Sequence, residues 1–216
     1  MLVKDAKAIA SISNRNSKMP GSTFAQDAFA CKVGSRLAKV KGSVCESCYA
    51  RRIQKMRPSV NQGWTANYEK AVNLISTNPQ KWVDACVFQI SRMAEKSGEH
   101  YHRWFDSGDI DSMDQLKAIV EVARRTPTIK HWLPTREIKI VSEYLKTNQV
   151  PSNLVIRVSS PMVNDKPLSF PNTSTVHTKD AEVYGNECPA YKQGNACGDC
   201  RNCWDTNVPN VSYKKH

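Results

Sequence analysis

No stretch of this 216-residue chain approaches the roughly 18 consecutive apolar residues that a membrane-spanning helix requires. Hydrophobic residues make up 40% of the sequence and its mean hydropathy is −0.54, which points away from a membrane protein. The opening run Met1-Leu2-Val3-Lys4-Asp5-Ala6-Lys7 is broken by charge before a signal-peptide core can form, so no secretion is expected and a cytoplasmic location is. Also lacking are internal repeats and any long Gly/Ser or Pro tract that would mark a linker. Acidic residues are in deficit, 20 against 31 Lys and Arg, and the resulting charge of +11 favours an anionic partner: nucleic acid, a phosphorylated small molecule or an anionic metal cluster.

Cysteine is present but falls well short of the roughly 8–10% typical of a small disulfide scaffold, with eight in the chain. In a reducing compartment, closely spaced thiols point to metal or redox chemistry sooner than to disulfides. Their spacing is therefore the informative feature. Cys188, Cys197, Cys200 and Cys203 form C-x8-C-x2-C-x2-C, in which thiolates at steps of three can turn around one cubane while Gly194 and Gly198 relieve backbone crowding. This favours an iron–sulfur cluster, with zinc as the rival, because zinc ribbons usually separate two Cys-x-x-Cys knuckles by a dozen or more residues. A second set comprises Cys31, then Cys45 and Cys48 after a gap of 13 residues. Three thiolates would hold a cluster with one iron open to a substrate or cofactor; the alternative is a zinc knuckle or redox pair at Cys45 and Cys48. Cys86 differs, lying inside an apolar helical stripe where packing explains it.

The helical stripes are clear. Trp82, Val83, Cys86, Val87, Ile90, Met93 and Ala94 recur at helical spacing behind Asn78-Pro79, a cap followed by an N1 proline. Further helices are expected over residues 65–75, from Met113 to Ala123, and from Ile138 to Leu145. Extended runs fall at His100–Phe105, Lys130–Leu133 and Asn153–Val158. Alternating helix and strand predict an α/β fold with four or five strands, either a partial βα barrel or an open, mostly parallel sheet. Residues 1–180 read as the core domain. Residues 181–216 read as a cysteine-rich, irregular, metal-binding tail packed on it, since this segment has too little apolar periodicity to fold alone.

Ligands of parallel sheets gather at the carboxyl ends of the strands, which singles out Asp109, Arg136 and Arg157 as candidate cofactor-binding residues. The guanidinium forks of the two arginines suit a carboxylate or phosphate. Asp106, Asp109, Asp111 and Asp114 lack the spacing of a calcium loop; Asp111 or Ser112 is expected to cap the helix that follows. His100, His102, His131 and His177 show no ligand spacing with the cysteines, and most read as polar residues at strand ends. His216 is a weaker candidate ligand. Lys39, Lys41, Arg51, Arg52, Lys55 and Arg57 flank Cys45 and Cys48, where they would offset the charge of a cluster or grip nucleic-acid phosphate.

Several strings together, Asn16-Ser17-Lys18-Met19-Pro20, Cys45-x-x-Cys48-Tyr49-Ala50, Arg103 to Ile110, Trp132 to Glu137, Cys188-Pro189-Ala190 and Cys197 to Trp204, resemble the bacteriophage gene-product-88 family. The resemblance covers most of the chain and implies a phage-encoded protein made in the cytoplasm of a bacterial host. It implies no particular activity. A more distant resemblance is to radical S-adenosylmethionine enzymes, with Thr23 to Cys31 as first strand and cysteine loop and Ser107-Gly108-Asp109 in place of a Gly-Gly-Glu-like motif. It departs from that family in the 13-residue gap between its first two cysteines. That resemblance implies S-adenosylmethionine at the open iron and an electron supplied from the tail cluster.

Two functions fit these residues. One is a phage iron–sulfur protein with one or two [4Fe–4S] clusters and redox or radical-type chemistry on a small-molecule substrate, fed by an electron donor. The other is a non-catalytic module, stabilised by zinc or a structural cluster, that binds nucleic acid or a host protein. Neither involves a membrane.

Overall fold

A computed structural model describes residues 1–14 and 18–215. Asn16, Ser17 and His216, noted above, lie outside the described residues. Seven α-helices accompany an eight-stranded sheet among the described residues. In chain order these are α1 (Val3–Ile9), β1 (Ile12–Ser13), β2 (Ser22–Phe24), α2 (Lys32–Leu37), α3 (Tyr49–Met56), α4 (Pro58–Thr77), α5 (Pro79–Ser97) and β3 (Tyr101–Arg103). There follow α6 (Met113–Arg125), β4 (Lys130–Thr135), α7 (Ile138–Leu145), β5 (Leu154–Ser159), β6 (Thr173–His177), β7 (Asn186–Glu187) and β8 (Asn210–Lys214).

The sheet runs β1-β2-β3-β4-β5-β6-β8-β7, and every pairing except β1 with β2 is parallel. From β2 to β6 the strands add in chain order, so every crossover returns on the same side, as in a βα barrel. Of the two expected forms, a partial βα barrel or an open, mostly parallel sheet, the open sheet is the observed one, but with eight strands rather than four or five, because β1 and β7 are only two residues long and β6 and β8 are rich in polar residues. None of the helices formed by described residues is long and apolar enough to cross a membrane.

Local chemistry explains the helix ends. Asn78 Oδ1 accepts from the Lys81 N–H at 3.1 Å, Pro79 occupies the first turn, and Gly98 closes α5 at φ 70. Ser112, rather than Asp111, caps α6 by accepting from the Gln115 N–H at 3.2 Å. Cys86 lies on the buried stripe of α5 and is fully enclosed, consistent with packing.

Strand alternation sorts the sheet into two faces. Leu133, Leu154, Ile156 and Val158 join the core beneath the helices, together with Phe24, Trp82 and Trp104. Trp132, one residue from Leu133, instead packs with Met19, Cys203, Trp204, Val208 and Val211. The helices therefore cover one face, and the cysteine-rich segment covers the other. That segment consists mainly of turns and short 3-10 helices, and it contributes β7 and β8 to the sheet itself.

One expectation needs correcting. His102 and His131 are not polar residues at strand ends: both are fully buried inside β3 and β4, with ring centroids 5.4 Å apart. Ser22 Oγ meets His102 Nδ1 at 2.8 Å, while His131 Nδ1 accepts from Trp104 Nε1 at 3.2 Å and its Nε2 meets Thr126 Oγ1 at 2.8 Å. Burial pushes both imidazoles down, His131 to about 3, so they stay neutral. Short-range patterning could not show this, because these hydrogen bonds join residues from different elements.

Candidate functional site

The first cysteine set lies between β2 and α3. Cys31 immediately precedes α2, Cys45 follows in a turn, and Cys48 immediately precedes α3. Gly34, in the first turn of α2, shows how near the thiols come: a Cβ built there would lie 3.0 Å from Cys31 Cβ and 3.7 Å from both the Cys31 and Cys45 sulfurs. The two sulfurs are thus no more than twice that distance apart, across a gap that only glycine leaves unfilled. Sequence reasoning missed Gly34, although its place three residues after Cys31 was a usable signal.

The carboxyl ends of β3 and β4 support this loop. Asp109 is buried and accepts three hydrogen bonds, from Thr135 Oγ1 at 2.6 Å, the Ile110 N–H at 2.8 Å and the Arg136 N–H at 2.9 Å. Burial nevertheless outweighs these donors and pushes its carboxyl up to about 6. Beside it, Glu137 Oε1 accepts from the Val33 N–H at 2.8 Å, pinning α2 against the end of β4. Burial raises the Cys31 and Cys45 thiols. For Cys45 the Arg136 and Arg51 cations work in the opposite direction, which places both guanidinium groups in its electrostatic surroundings. Arg136 Nε is buried without a hydrogen-bond partner, and so is Ser107 Oγ. Cys31, Cys45, Cys48, Asp109 and Arg136 are thus brought into one neighbourhood from three parts of the chain.

Of the basic residues around this loop, Arg51 is partly buried, with its guanidinium 4.6 Å over the Phe29 ring and bonded to Ser35 Oγ at 3.0 Å. Lys39, Lys41, Arg52, Lys55 and Arg57 are exposed.

The second set is gathered on the opposite face from the helices. Cys188, Cys197 and Cys203 pack with Trp132, Trp204 and Tyr213, and Cys200 acts electrostatically on both Cys188 and Cys197. Backbone bonds hold the turns: the Cys188 N–H donates to Ser212 O at 2.8 Å, Cys197 to Lys18 O at 2.7 Å and Cys200 to Cys197 O at 3.0 Å. Gly194 and Gly198 both take the left-handed conformation, at φ 63 and 51. Burial pushes up the Cys188, Cys197 and Cys203 thiols, Cys203 to about 12, even though Tyr213 Oη lies 3.1 Å from the Cys203 sulfur.

Arg157 does not sit with Asp109 and Arg136. It is fully buried in β5 on the face covered by the tail, and its guanidinium donates to the carbonyls of Asn202, Cys203, Asp205, Val208 and Thr173. Its whole donor set is thereby spent on holding the loop that carries Cys200 and Cys203.

Among the described residues, no three His, Cys, Asp or Glu side chains converge on one point closely enough to hold a single metal ion. For reference, a tetrahedral zinc with bonds of about 2.3 Å draws its thiolates to about 3.8 Å from one another.

Fold and site together define a class: an α/β protein with an open, mostly parallel sheet and two separate cysteine groups. The chain belongs to the bacteriophage gene-product-88 family, whose model, described as Gene product 88, matches residues 4–206. No curated protein and no solved structure matches it. The analogy to radical S-adenosylmethionine enzymes gains no support from these comparisons.

Proposed function

We propose that this gene-product-88 protein binds iron–sulfur clusters at both cysteine groups. Cys188, Cys197, Cys200 and Cys203 would hold a fully ligated cluster, and Cys31, Cys45 and Cys48 one with a single exchangeable iron. The observation that carries this reading is the partition of the eight cysteines. Seven fall into two groups, one within residues 31–48 and one within residues 188–203, while Cys86 alone stays in the helical core.

Burial pushes up the Cys31, Cys45, Cys188, Cys197 and Cys203 thiols and so favours their protonated form in the metal-free chain, and cluster binding must displace those protons. Arg136 and Arg51 at the first site and Arg157 and Arg201 at the second supply positive charge against the thiolates. At the first site Arg136, whose Nε has no partner, would orient a carboxylate or phosphate of a small substrate, and Asp109 would fix the Arg136 backbone. A bound cluster supplies one-electron chemistry, and an open iron also supplies a binding position.

Anaerobic reconstitution of the full chain with iron and sulfide tests the reading. Two cubanes give about eight irons and about eight sulfides per chain. Cys45→Ala should remove one cluster and leave the other. Stoichiometric zinc without sulfide would overturn the cluster reading in favour of a zinc-stabilised module.

A further inference from the structure

The positive charge of this chain is concentrated on α2, α3 and the loop between them. Residues 29–57 hold eight Lys and Arg against a single acid, Glu46, and so carry seven of the eleven net positive charges. Lys32 is occupied by Asp111, at 3.4 Å. Arg36, Lys39, Lys41, Arg52, Lys55 and Arg57 are exposed and take part in no ion pair among the described residues. The nearby carboxylates are turned to other work. Glu46 Oε2 accepts from the Gly42 N–H at 2.8 Å; Asp27 accepts from Gln54 Nε2 and the Phe29 N–H, both at 2.8 Å, and from Thr65 Oγ1 at 3.1 Å. Cations crowded in this way repel one another, and a polyanion from outside relieves that repulsion.

Aromatic rings stand at both edges of this strip. At about 100° per residue, the solvent side of α3 runs from half-buried Arg51 through Lys55, Arg52 and Met56 to Tyr49. At one edge Phe29 is 44% exposed beneath the Arg51 guanidinium, and Ser35 Oγ, which accepts from Arg51, donates to Phe29 O at 3.1 Å. At the other edge Tyr49 is 50% exposed, and its Oη donates to Asp106 O at 2.6 Å. Both rings are therefore held in place with much of their surface open to solvent. The loop between the helices is fixed as well, by the Val44 N–H on Pro161 O at 2.9 Å and the Val163 N–H on Gly42 O at 3.0 Å. A small anion needs only one or two of these cations, and a lipid surface calls for a continuous apolar face beneath the charge. Here Val40 and Met56 are instead interleaved with Lys and Arg. A polymer that alternates phosphates with flat rings matches both the spread of the cations and the two rings.

We propose that α2, α3 and their connecting loop form a docking surface for single-stranded nucleic acid, with phosphates held by Arg36, Lys39, Lys41, Arg52, Lys55 and Arg57 and bases stacked on Phe29 and Tyr49. The phosphate contacts supply most of the affinity and make it fall with salt. Stacking is tolerant of sequence and favours unpaired bases, because those of a duplex are already stacked on one another. The surface requires no metal, and Arg51, the cation beside Cys45, is not among its phosphate-binding residues. It therefore stands or falls separately from the cluster reading.

The test is fluorescence anisotropy of labelled oligothymidylate and oligouridylate with the full-length protein across a range of salt concentrations. At least one of the two strands should bind, and more tightly than a duplex of equal length. With about four phosphates engaged, the logarithm of affinity should fall against the logarithm of salt with a slope near −3, at about 0.7 per phosphate. The double variant Arg52→Gln/Lys55→Gln should make that slope shallower by about 1.4 and weaken whichever strands bind. Phe29→Leu and Tyr49→Leu should each weaken binding about tenfold and leave the slope unchanged. The double variant alters only exposed side chains, so its loss of binding is not a loss of folding. A duplex bound as tightly as the single strand, or full affinity in both Phe29→Leu and Tyr49→Leu, would overturn the proposal. So would binding to neither oligomer, binding indifferent to salt or to the double variant, or binding to phosphatidylserine vesicles in place of the oligomers.

Discussion

Arg157→Met should detach the cysteine-rich loop from the sheet. In the native protein all of the donor capacity of this guanidinium is spent on carbonyls: Nε to Cys203 at 3.1 Å, Nη1 to Val208 at 2.9 Å and Thr173 at 3.3 Å, and Nη2 to Asn202 at 2.6 Å and Asp205 at 2.9 Å. A hydrogen bond from a charged donor contributes about 1.5–3 kcal/mol net. Five of them do not simply add, because enclosing the guanidinium away from water costs several kcal/mol, and that cost disappears in the variant. What remains is the penalty for carbonyls that stay buried without a donor, about 1–3 kcal/mol each until the loop opens to water. Opening limits the total loss to about 4 kcal/mol, a large part of the about 5–15 kcal/mol that holds a domain folded. Urea unfolding should register that loss, and amide exchange should place it: residues 202–208 lose protection while those of α5 and α6 keep theirs at matched stability. Arg157→Lys, with three donors on a single nitrogen, should recover less than half. A loss under about 1 kcal/mol, or protection falling evenly across the sheet, would refute the assignment of Arg157 as the anchor of this loop.

Three further outcomes are expected. Gly34→Ala places a methyl 3.7 Å from both the Cys31 and Cys45 sulfurs on a helical residue; the metal-free protein should stay within about 1 kcal/mol of wild type, while bound iron falls by about half. Cys86→Ala should leave iron and sulfide content unchanged and cost about 1 kcal/mol in urea unfolding, and a drop in iron would show that this thiol is a ligand. Asp109, raised by burial from 3.8 to about 6, holds a proton in the folded chain that the unfolded chain has already released, so its contribution to stability falls as pH rises through that window, by about 3 kcal/mol in all. The stability difference between wild type and Asp109→Asn should therefore tilt with pH between about 4 and 6, and a flat difference would contradict the buried-carboxyl reading.

Legibility varied with the kind of interaction that stabilises each element. α5, α6 and α7 bury one stripe each, and β5 is a run of apolar and β-branched residues, so local pattern identifies them. β6 and β8 carry Thr, Ser, His and Asn and look like loop. They are nonetheless buried, because their side chains satisfy one another: Thr173 with Asn210 at 2.8 Å, Thr175 with Ser212 at 3.1 Å and His177 with Ser212 at 2.7 Å. Polar residues that find partners 35 or more positions away leave no periodic signal along the chain.

The sequence by itself determined the α/β class, the helices α4 to α7 with the Asn78 cap of α5, the division of the cysteines into two sets with Cys86 apart, and the family, since each is written in spacing along the chain; α1, α2 and α3 were not legible. Only the tertiary structure decided which charges serve which cysteines. Arg136 and Arg157 look equivalent as arginines at strand ends, yet strand alternation and the tail's placement send one to the first cysteine loop and lock the other beneath the second. Arg103 comes to lie against Trp132 and Met19 in the same way, because β3 and β4 are side by side and the tail covers that face of the sheet.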